Sequence, residues 1–344
     1  MAAHSLNFMR FAARTAAILC VCATGAFGAD KPPAVEVSLG DVSLNKVAFL
    51  VAADAGIYAK NGLSVHQYIT PYAANKARHQ GVNVPAQYVK DDAADDADIS
   101  VGGGTPMIVN FTRSARATDR VIIATFESQV RDHIIASEAI KSPADLKGKR
   151  LGFTDDGAVT HFAAISFAKA MGWDPNQDIS LIGNANAPEA IKDGKVDAFI
   201  GSALVQAKAS QEKLKDLVDL GQYNIPVAGS SLNADRAWLK KNPETAKRFV
   251  KSTVEAIALI KTNRQAFFDA MAKWYNIKDR ATQQSMYAQV AGLPKKPYPA
   301  VDGIKKTMEV YNYREMKKHK PEDFYDASFM TELDKSGYID GLYR

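Results

Sequence analysis

The stretch from Ser142 to Ser202 constrains the fold most, because short apolar runs alternate there with amphipathic runs. The apolar runs around Leu151, Leu181 and Phe199 have the length and composition of buried strands. The segments between them have helical spacing, and each ends at a glycine, as helices commonly do. Strands that alternate with helices pair in parallel through right-handed crossovers. We therefore predict an α/β unit whose ligand would lie beyond the carboxyl ends of these strands.

Length and composition limit the possible classes of protein. A chain of 344 residues fits one large or two modest domains, and 47% hydrophobic residues are enough to build a core. The net charge of +5 is spread along the chain without a basic block, so we expect no nucleic-acid partner. Both cysteines, Cys20 and Cys22, lie near the N-terminus. A chain shortened there would contain no disulfide, thiolate metal site or cysteine nucleophile.

Residues 1–28 have the pattern of a signal peptide. Arg10 and Arg14 form a basic segment, and the apolar segment Ala16–Ala26 is too short to span a bilayer. Small residues end the segment and predict cleavage between Gly28 and Ala29. We expect an exported protein, periplasmic in a bacterium, and a short membrane anchor is the alternative.

Three short motifs narrow the class further. The first comprises the DLKGK turn and the GKVDA segment of the stretch described above. The second is NGL at Asn61–Leu63, after an apolar helix, and the third is ADISVGGG at Ala97–Gly104, a strand followed by a glycine loop. Together they resemble the solute-binding proteins of ABC importers in the sulfonate, nitrate and taurine class, which also includes binders of thiamine-pyrimidine precursors. The resemblance implies a two-lobed α/β periplasmic-binding-protein fold of type II, with the ligand cleft between lobes that two crossing strands join.

The two crossings are predicted near Ser128–Asp132 and near Ile225–Ser231. Lobe one would then comprise residues 29–128 plus 232–344, and lobe two residues 129–231. Segment 71–96 departs from the family, because it is polar and poorly periodic where the family has one compact helix. Its acidic run lacks the glycine turn and terminal glutamate of a calcium loop, so we expect no metal site and no cofactor.

Candidate ligand-binding residues lie in the loops after the strands. The glycine loop before Thr105 and the helix start at residues 158–160 would offer free amide groups to an anion. Asp155 beside that helix start would repel a bare anion, so a ligand with an amine or hydroxyl donor fits better, unless Asp155 and Asp156 only cap the helix. Arg131 could pair with a carboxylate or sulfonate, or be a surface arginine. The predicted set is Ser43, Asn45, Gly103, Gly104, Thr105, Arg131, Asp155, Gly157, Ala158, Val159, Thr160, His161, Asn184, Asn186 and Ser202.

The resemblance implies a monomeric binding protein without catalytic residues. It would capture a small organic anion by hinge closure and deliver it to an inner-membrane ABC permease with its cytoplasmic ATPase. Two alternatives stay open: an exported enzyme of the dehydratase type that uses Asp155, Asp156 and His161, and a sensory module that acts through a partner. The relative that makes the thiamine pyrimidine uses a cysteine-rich motif, which a cysteine-free mature chain disfavours.

Overall fold

The computed structural model describes residues 31–79, 81–91, 97–113 and 119–344. The predicted signal peptide and residues 92–96 of the acidic run lie outside the described residues. Within the described chain, no helix is long and apolar enough to cross a membrane.

The strands of the described residues form two sheets. They are β1 (Ala34–Ser38), β2 (Ser64–Tyr68), β3 (Ile99–Gly103), β4 (Arg120–Thr125), β5 (His133–Ala136), β6 (Arg150–Gly152), β7 (Ser180–Ile182), β8 (Ala198–Gly201), β9 (Lys215–Asp219) and β10 (Ser230–Asp235).

Helices cover both sheets. They are α1 (Val47–Asp54), α2 (Ile57–Lys60), α3 (Pro71–His79), α4 (Gly104–Arg113), α5 (Val159–Ala170), α6 (Pro188–Lys192), α7 (Ala203–Gln211), α8 (Arg236–Lys241), α9 (Pro243–Thr262), α10 (Arg264–Trp274), α11 (Arg280–Val290), α12 (Val301–Tyr311), α13 (Ser328–Lys335) and α14 (Tyr338–Gly341). Short 3₁₀ helices are Leu44–Lys46, Ala86–Tyr88, Pro143–Leu146, Leu220–Tyr223, Met316–Lys318 and Pro321–Phe324.

The two sheets share one topology. Their strand orders are β2-β1-β3-β10-β4 and β7-β6-β8-β5-β9. In each sheet three parallel strands are followed by one antiparallel strand, β10 in the first and β5 in the second. In each sheet, the antiparallel strand is the first strand that the chain forms after it crosses from the other sheet. The parallel pairing predicted for residues 142–202 is confirmed.

The helices of residues 142–202 end at the glycines that the sequence pattern indicated. Gly172 and Gly194 follow α5 and α6 with φ angles of 75° and 66°, a left-handed conformation that glycine adopts without a Cβ penalty. Helix α7 ends at Gln211. Lys213 takes a positive φ of 61° just after α7, and the chain then joins the second sheet as β9, paired with β5.

Residues of α1, α9 and α10 share one hydrophobic core with residues of the first sheet. Tyr58 and Phe49 stack on the buried Phe249, with ring centroids 5.5 and 6.4 Å apart. Trp274 is also buried, and its Nε1 donates to Asp54. The atypical segment 71–96 packs beside the same helices, since the Asn83 amide donates to the Trp274 carbonyl oxygen.

Two segments connect the sheets, 126–132 between β4 and β5 and 225–229 between β9 and β10. They pair with each other in antiparallel fashion around Gln129 and Pro226. The Val130 amide donates to Ile225 at 3.0 Å, and the Gly229 amide donates to Glu127 at 3.0 Å. We call these the first and second crossing segments. They lie where the sequence predicted crossings, and the lobe boundaries drawn there stay a prediction.

Candidate functional site

A cavity of about 470 Å³ lies beside the crossing segments. Its volume falls in the range of small-molecule sites. Its walls come from the loop after β1, the first crossing segment, the start of α7, the turn after β9 and the end of α11. The lining residues are Ser43, Leu44, Asn45, Phe126, Glu127, Arg131, Asp132, His133, Ser202, Ala203, Leu204, Asp219, Gly221, Gln289, Val290, Gly292 and Leu293.

Four of the predicted ligand-binding residues line this cavity: Ser43, Asn45, Arg131 and Ser202. Ser43 Oγ lies 2.6 Å from Asn45 Oδ1, and Asn45 Nδ2 donates to Glu127 Oε2 at 3.3 Å. These bonds tie the loop after β1 to the first crossing segment. The contribution of these four residues to binding stays a prediction.

Arg131 is the arginine of the described cavity lining. Its side chain lies against the end of α11, where a Cβ added to Gly292 would be 3.4 Å from Nη1. Within the described chain, its guanidinium has no hydrogen bond or ion pair. A guanidinium presents donors in a planar fork that matches a carboxylate or sulfonate.

Two carboxyl groups of the first crossing segment face the same cavity. Glu127 Oε2 accepts from Asn45 Nδ2 and, at 3.4 Å, from the Ser230 amide. In the part of the chain that the structure describes, the Asp132 carboxyl has no hydrogen-bond or ion-pair partner.

Burial raises the pKa of both groups. For Glu127, the Ser230 amide and the charge of Lys46 oppose that rise, and the charge of Asp41 adds to it. For Asp132, burial and the charges of Glu127 and Asp41 raise the pKa to about 7. The first crossing segment therefore holds one carboxyl group, that of Asp132, that changes charge near neutral pH.

Lys46 lies behind this wall. It is 3% exposed, and its Nζ donates to Val101 O at 2.6 Å and to Ser230 Oγ at 3.1 Å. These contacts hold the ammonium against the first sheet and away from the cavity lining.

The glycine loop differs from expectation. Its amides are not free, because Gly104 N donates to Gly229 O at 2.9 Å and Thr105 N donates to Ala228 O at 2.7 Å. Thr105 is fully buried, with its Oγ1 2.8 Å from Thr307 Oγ1 on α12. The prediction of free amides was wrong because the second crossing segment accepts those hydrogen bonds. Gly103, Gly104 and Thr105 are absent from the described cavity lining.

The start of α5 also differs from expectation, because it packs against α4 and does not line the 470 Å³ cavity. A Cβ added to Gly157 would be 2.7 Å from Val109 of α4, and one added to Gly103 would be 3.1 Å from Val159. Thr160 Oγ1 accepts from the Thr154 amide at 3.0 Å. The described cavity lining contains none of Asp155, Gly157, Ala158, Val159 or Thr160, and the side chains of Asp155 and Asp156 are exposed to solvent.

His161 lines a second cavity of about 690 Å³, between α5, the loop before β7 and the end of α12. Its ring stacks on Phe153 with centroids 4.4 Å apart, and its Nδ1 accepts from the Gly157 amide at 3.0 Å. Burial lowers the pKa of His161, and the charge of Arg113 lowers it further, against the opposing charge of Asp156. A neutral imidazole held by packing fits these contacts.

Asn184 and Asn186 follow β7 at the edge of the second sheet. Asn184 is exposed and has a φ of 55°, and its amide donates to Thr154. Neither asparagine belongs to the described lining of the two cavities.

Sequence reasoning missed the two carboxyl groups and the wall from α11. Glu127 precedes the predicted first crossing and Asp132 is its last residue, so both could have been chosen as charged residues beside Arg131. Gln289 and Leu293 carry no such signal, because only tertiary packing brings the end of α11 to the cavity. The described residues contain no group of three His, Cys, Asp or Glu placed to hold a metal ion.

The fold and the cavity define the class of protein. Two five-stranded sheets joined by two crossing segments form the periplasmic-binding-protein fold, and similar solved structures share it. The family model described as NMT1/THI5 like matches residues 43–266, which is more than half of the chain. The chain belongs to the NMT1/THI5-like family. No curated protein is similar enough in sequence to count as a relative.

Three solved structures illustrate the likeness. The periplasmic aliphatic sulphonate binding protein SsuA from Escherichia coli has 20% identity and a TM-score of 0.60, over 82% of this chain and 87% of that one. A putative sulfonate ABC transporter component, the periplasmic sulfonate-binding protein SsuA from Methylobacillus flagellatus, has 13% identity and a TM-score of 0.62, over 90% and 96%. The desulfurization enzyme DSZB has 13% identity and a TM-score of 0.59, over 88% and 99%. At these identities the likeness concerns the fold.

Proposed function

We propose that this protein is an exported solute-binding protein that captures a small organic anion of the sulfonate or carboxylate type. It would deliver that solute to an inner-membrane ABC permease served by a cytoplasmic ATPase, and it would act as a monomer. Membership in the NMT1/THI5-like family and the fold shared with sulfonate-binding proteins support a solute-binding role.

The position of the cavity supports the proposal of hinge closure. Its lining includes Asn45 and Leu293 on the side of the first sheet, Ser202 on the side of the second sheet, and the first crossing segment between them. A ligand that contacts both sides favours the closed arrangement in proportion to its extra contacts there. We propose lobes of residues 29–128 plus 232–344 and of residues 129–231, which turn about the two crossing segments.

The main support for the proposal is the position of Arg131. Among the described lining residues it is the cation without a partner, and it is on the crossing segment where the two sides meet. An acid group bound there would gain a charge-assisted, bidentate pair.

The likeness to DSZB favours one alternative, an enzyme on the same fold. The groups first considered for catalysis do not support it. Asp155 and Asp156 are exposed to solvent, while His161 lines the second cavity and its Nδ1 accepts a main-chain hydrogen bond. These three residues therefore do not converge on the 470 Å³ cavity.

The test is a thermal-shift and calorimetry screen of the protein recovered from the periplasm of an expressing bacterium. We expect one class of sulfonate or carboxylate to raise the melting temperature, because a ligand bound only by the native state stabilises it. Arg131→Gln should weaken binding at least about tenfold, in line with the loss of a charged hydrogen-bond partner. The exposed Arg314→Gln is the matched control and should bind as the wild type does.

Mass spectrometry of the recovered protein and ligand completes the test. An N-terminus at Ala29 and an unchanged ligand would agree with an exported binder. Conversion of the ligand would establish the enzyme alternative, and the absence of any shift across both anion classes would contradict the proposed function.

A further inference from the structure

The charge of the cavity does not match a simple anion. Its described lining contains one arginine and three acidic residues, Glu127, Asp132 and Asp219. Lys46 is nearby but donates to Val101 and Ser230. His133 has its Nδ1 3.1 Å from Asp216 Oδ1. A ligand with only a negative charge would be attracted at Arg131 and repelled from most of the remaining charged wall.

The three acidic residues differ in how many hydrogen bonds their carboxyl oxygens accept. Asp219 Oδ1 accepts from the Gly221 amide at 2.8 Å and caps the 3₁₀ helix that follows β9. Glu127 has accepted bonds on one oxygen, Oε2. The Asp132 carboxyl has no hydrogen-bond or ion-pair partner within the described residues. Glu127 and Asp132 thus keep free acceptor capacity where they line the cavity.

A partly buried carboxylate whose oxygens are not all hydrogen-bonded costs free energy, and a cation from the ligand would reduce that cost. The cavity itself is the independent observation. It has the volume of a small-molecule site, and it holds Arg131 on the same crossing segment as both carboxyl groups. Apolar side chains, Leu44, Leu204 and Leu293, form other parts of its wall and would suit a short aliphatic linker.

We propose that the solute carries a basic nitrogen as well as an acid group, so that it is a zwitterion such as an amino sulfonate or an amino carboxylate. Arg131 pairs with the acid group, and Glu127 and Asp132 accept hydrogen bonds from the ammonium. This inference rests on the proposed function, because it names the substrate class of the same cavity.

Because carboxyl groups of the cavity lining titrate, we expect the affinities for a zwitterion and for a plain anion to change in opposite directions with pH. The charged and titratable groups that face Glu127 and Asp132 are Asp41, Lys46, Arg131, His133 and Asp219. The pKa of Asp132 is raised to about 7 by burial and by the charges of Glu127 and Asp41. Between about pH 5.5 and pH 8 the wall gains negative charge. Affinity for a zwitterion therefore rises with pH over this range, and affinity for a plain anion falls.

The experiment is isothermal titration calorimetry on the whole exported protein with pairs of probes that differ in the nitrogen. The pairs are 3-aminopropanesulfonate against butanesulfonate and 4-aminobutanoate against pentanoate, each at pH 5.5 and pH 8. We expect an amino probe to bind at least about tenfold more tightly than its partner at pH 8. That preference should shrink at pH 5.5.

Variants assign the preference to the two carboxyl groups. Asp132→Asn and Glu127→Gln should each reduce the preference for the nitrogen about tenfold, by removing a charged acceptor. Both should leave Arg131 free to bind the plain sulfonate at least as well as before. Asp269→Asn, an exposed position on α10, is the matched control and should change neither affinity.

The pH profile of the wild type keeps the test decisive even if a variant folds poorly. Equal affinities for both members of each pair, or a plain anion whose affinity does not fall with pH, would overturn the zwitterion inference. The proposed function would still stand in that case, because an anion would have bound. Failure of all four probes, with no other sulfonate or carboxylate bound, would contradict both.

Discussion

Two regions lie between the sheets, and they are built in opposite ways. The first is the contact among α4, α5 and α12, which we call the seam; its contacts join Gly157 to Val109, Gly103 to Val159 and Thr105 to Thr307. The second is the 470 Å³ cavity beside the crossing segments. Small residues and satisfied hydrogen bonds fill the seam, whereas unpaired charged groups face the cavity.

The difference separates structural residues from binding residues. In the seam, backbones approach so closely that a side chain would not fit, and the buried core continues through Val109, Phe162 and Ile304. Such packing favours one arrangement. In the cavity, the Arg131 guanidinium and the Asp132 carboxyl have no partner within the described residues, which leaves both groups available to a solute. The partial burial of the unpaired Asp132 carboxyl also lowers stability. Loops at strand ends therefore do not all serve one purpose in this molecule.

The largest expected effect comes from the helix that closes the seam. A Cβ added to Gly303 of α12 would lie 2.1 Å from the Val227 carbonyl carbon, which is backbone and cannot move alone. Gly303→Ala should lower the free energy of unfolding by about 3 kcal/mol or more, measured in urea. Gly341→Ala, on α14 with nothing within 4 Å, should change it by no more than about 0.5 kcal/mol. Equal effects would show that α12 shifts freely.

Gly157 tests the seam at the start of α5. It has a φ of 84° and a Cβ there would meet Val109 at 2.7 Å, whereas Gly148 has a φ of 73° and nothing within 4 Å. Both alanine variants carry the strain of a left-handed residue, about 1 kcal/mol, and only Gly157→Ala adds a clash of about 1 kcal/mol or more. Urea unfolding of the two variants isolates that difference. If both cost the same, the contact across the seam does not limit packing.

Asp132 tests the opposite character of the cavity. Its folded pKa is about 7 and the unfolded value is about 3.9, so the fold loses stability as pH rises from about 4 to about 7. Asp132→Asn should therefore stabilise the free protein by about 1 to 2 kcal/mol at pH 8, after allowance for partial exposure, and by nothing at pH 4.

Urea unfolding at both pH values checks this, with Asp269→Asn as a control that should show no such pH dependence. Destabilisation by Asp132→Asn at pH 8 would mean that the carboxylate has a favourable partner in the free protein. That result would contradict the description of the cavity as a region with unpaired charged groups.

The smallest expected effect concerns Thr105, which was predicted as a ligand-binding residue. Thr105→Val keeps its shape and removes the bond to Thr307, so unfolding free energy should fall by about 1 kcal/mol. Ligand affinity by calorimetry should not change. Thr307→Val and the double variant complete a cycle, in which the two losses should not add because the residues share one bond. A loss of affinity in Thr105→Val would place the glycine loop in the binding site after all.

The cavity could be predicted only in part. Ser43, Asn45, Arg131 and Ser202 were found because strand ends and crossings can be located from local sequence patterns. The loops at Gly103–Thr105 and Gly157–His161 have the same local signature. In the first, the amides of Gly104 and Thr105 donate to the second crossing segment; in the second, the side chains of Thr160 and His161 accept main-chain hydrogen bonds. Local sequence does not say which strand end faces a cavity and which faces another helix.

The sequence by itself determined the α/β class, the parallel strands of residues 142–202, the glycines that end α5 and α6, and the place of both crossings. These features follow from side-chain periodicity and backbone preference over a few residues. Only the tertiary structure decided that α12 presses on the second crossing segment and that the end of α11 forms a cavity wall. Those contacts join residues far apart in the chain, and their geometry depends on how whole helices pack, which no local pattern encodes.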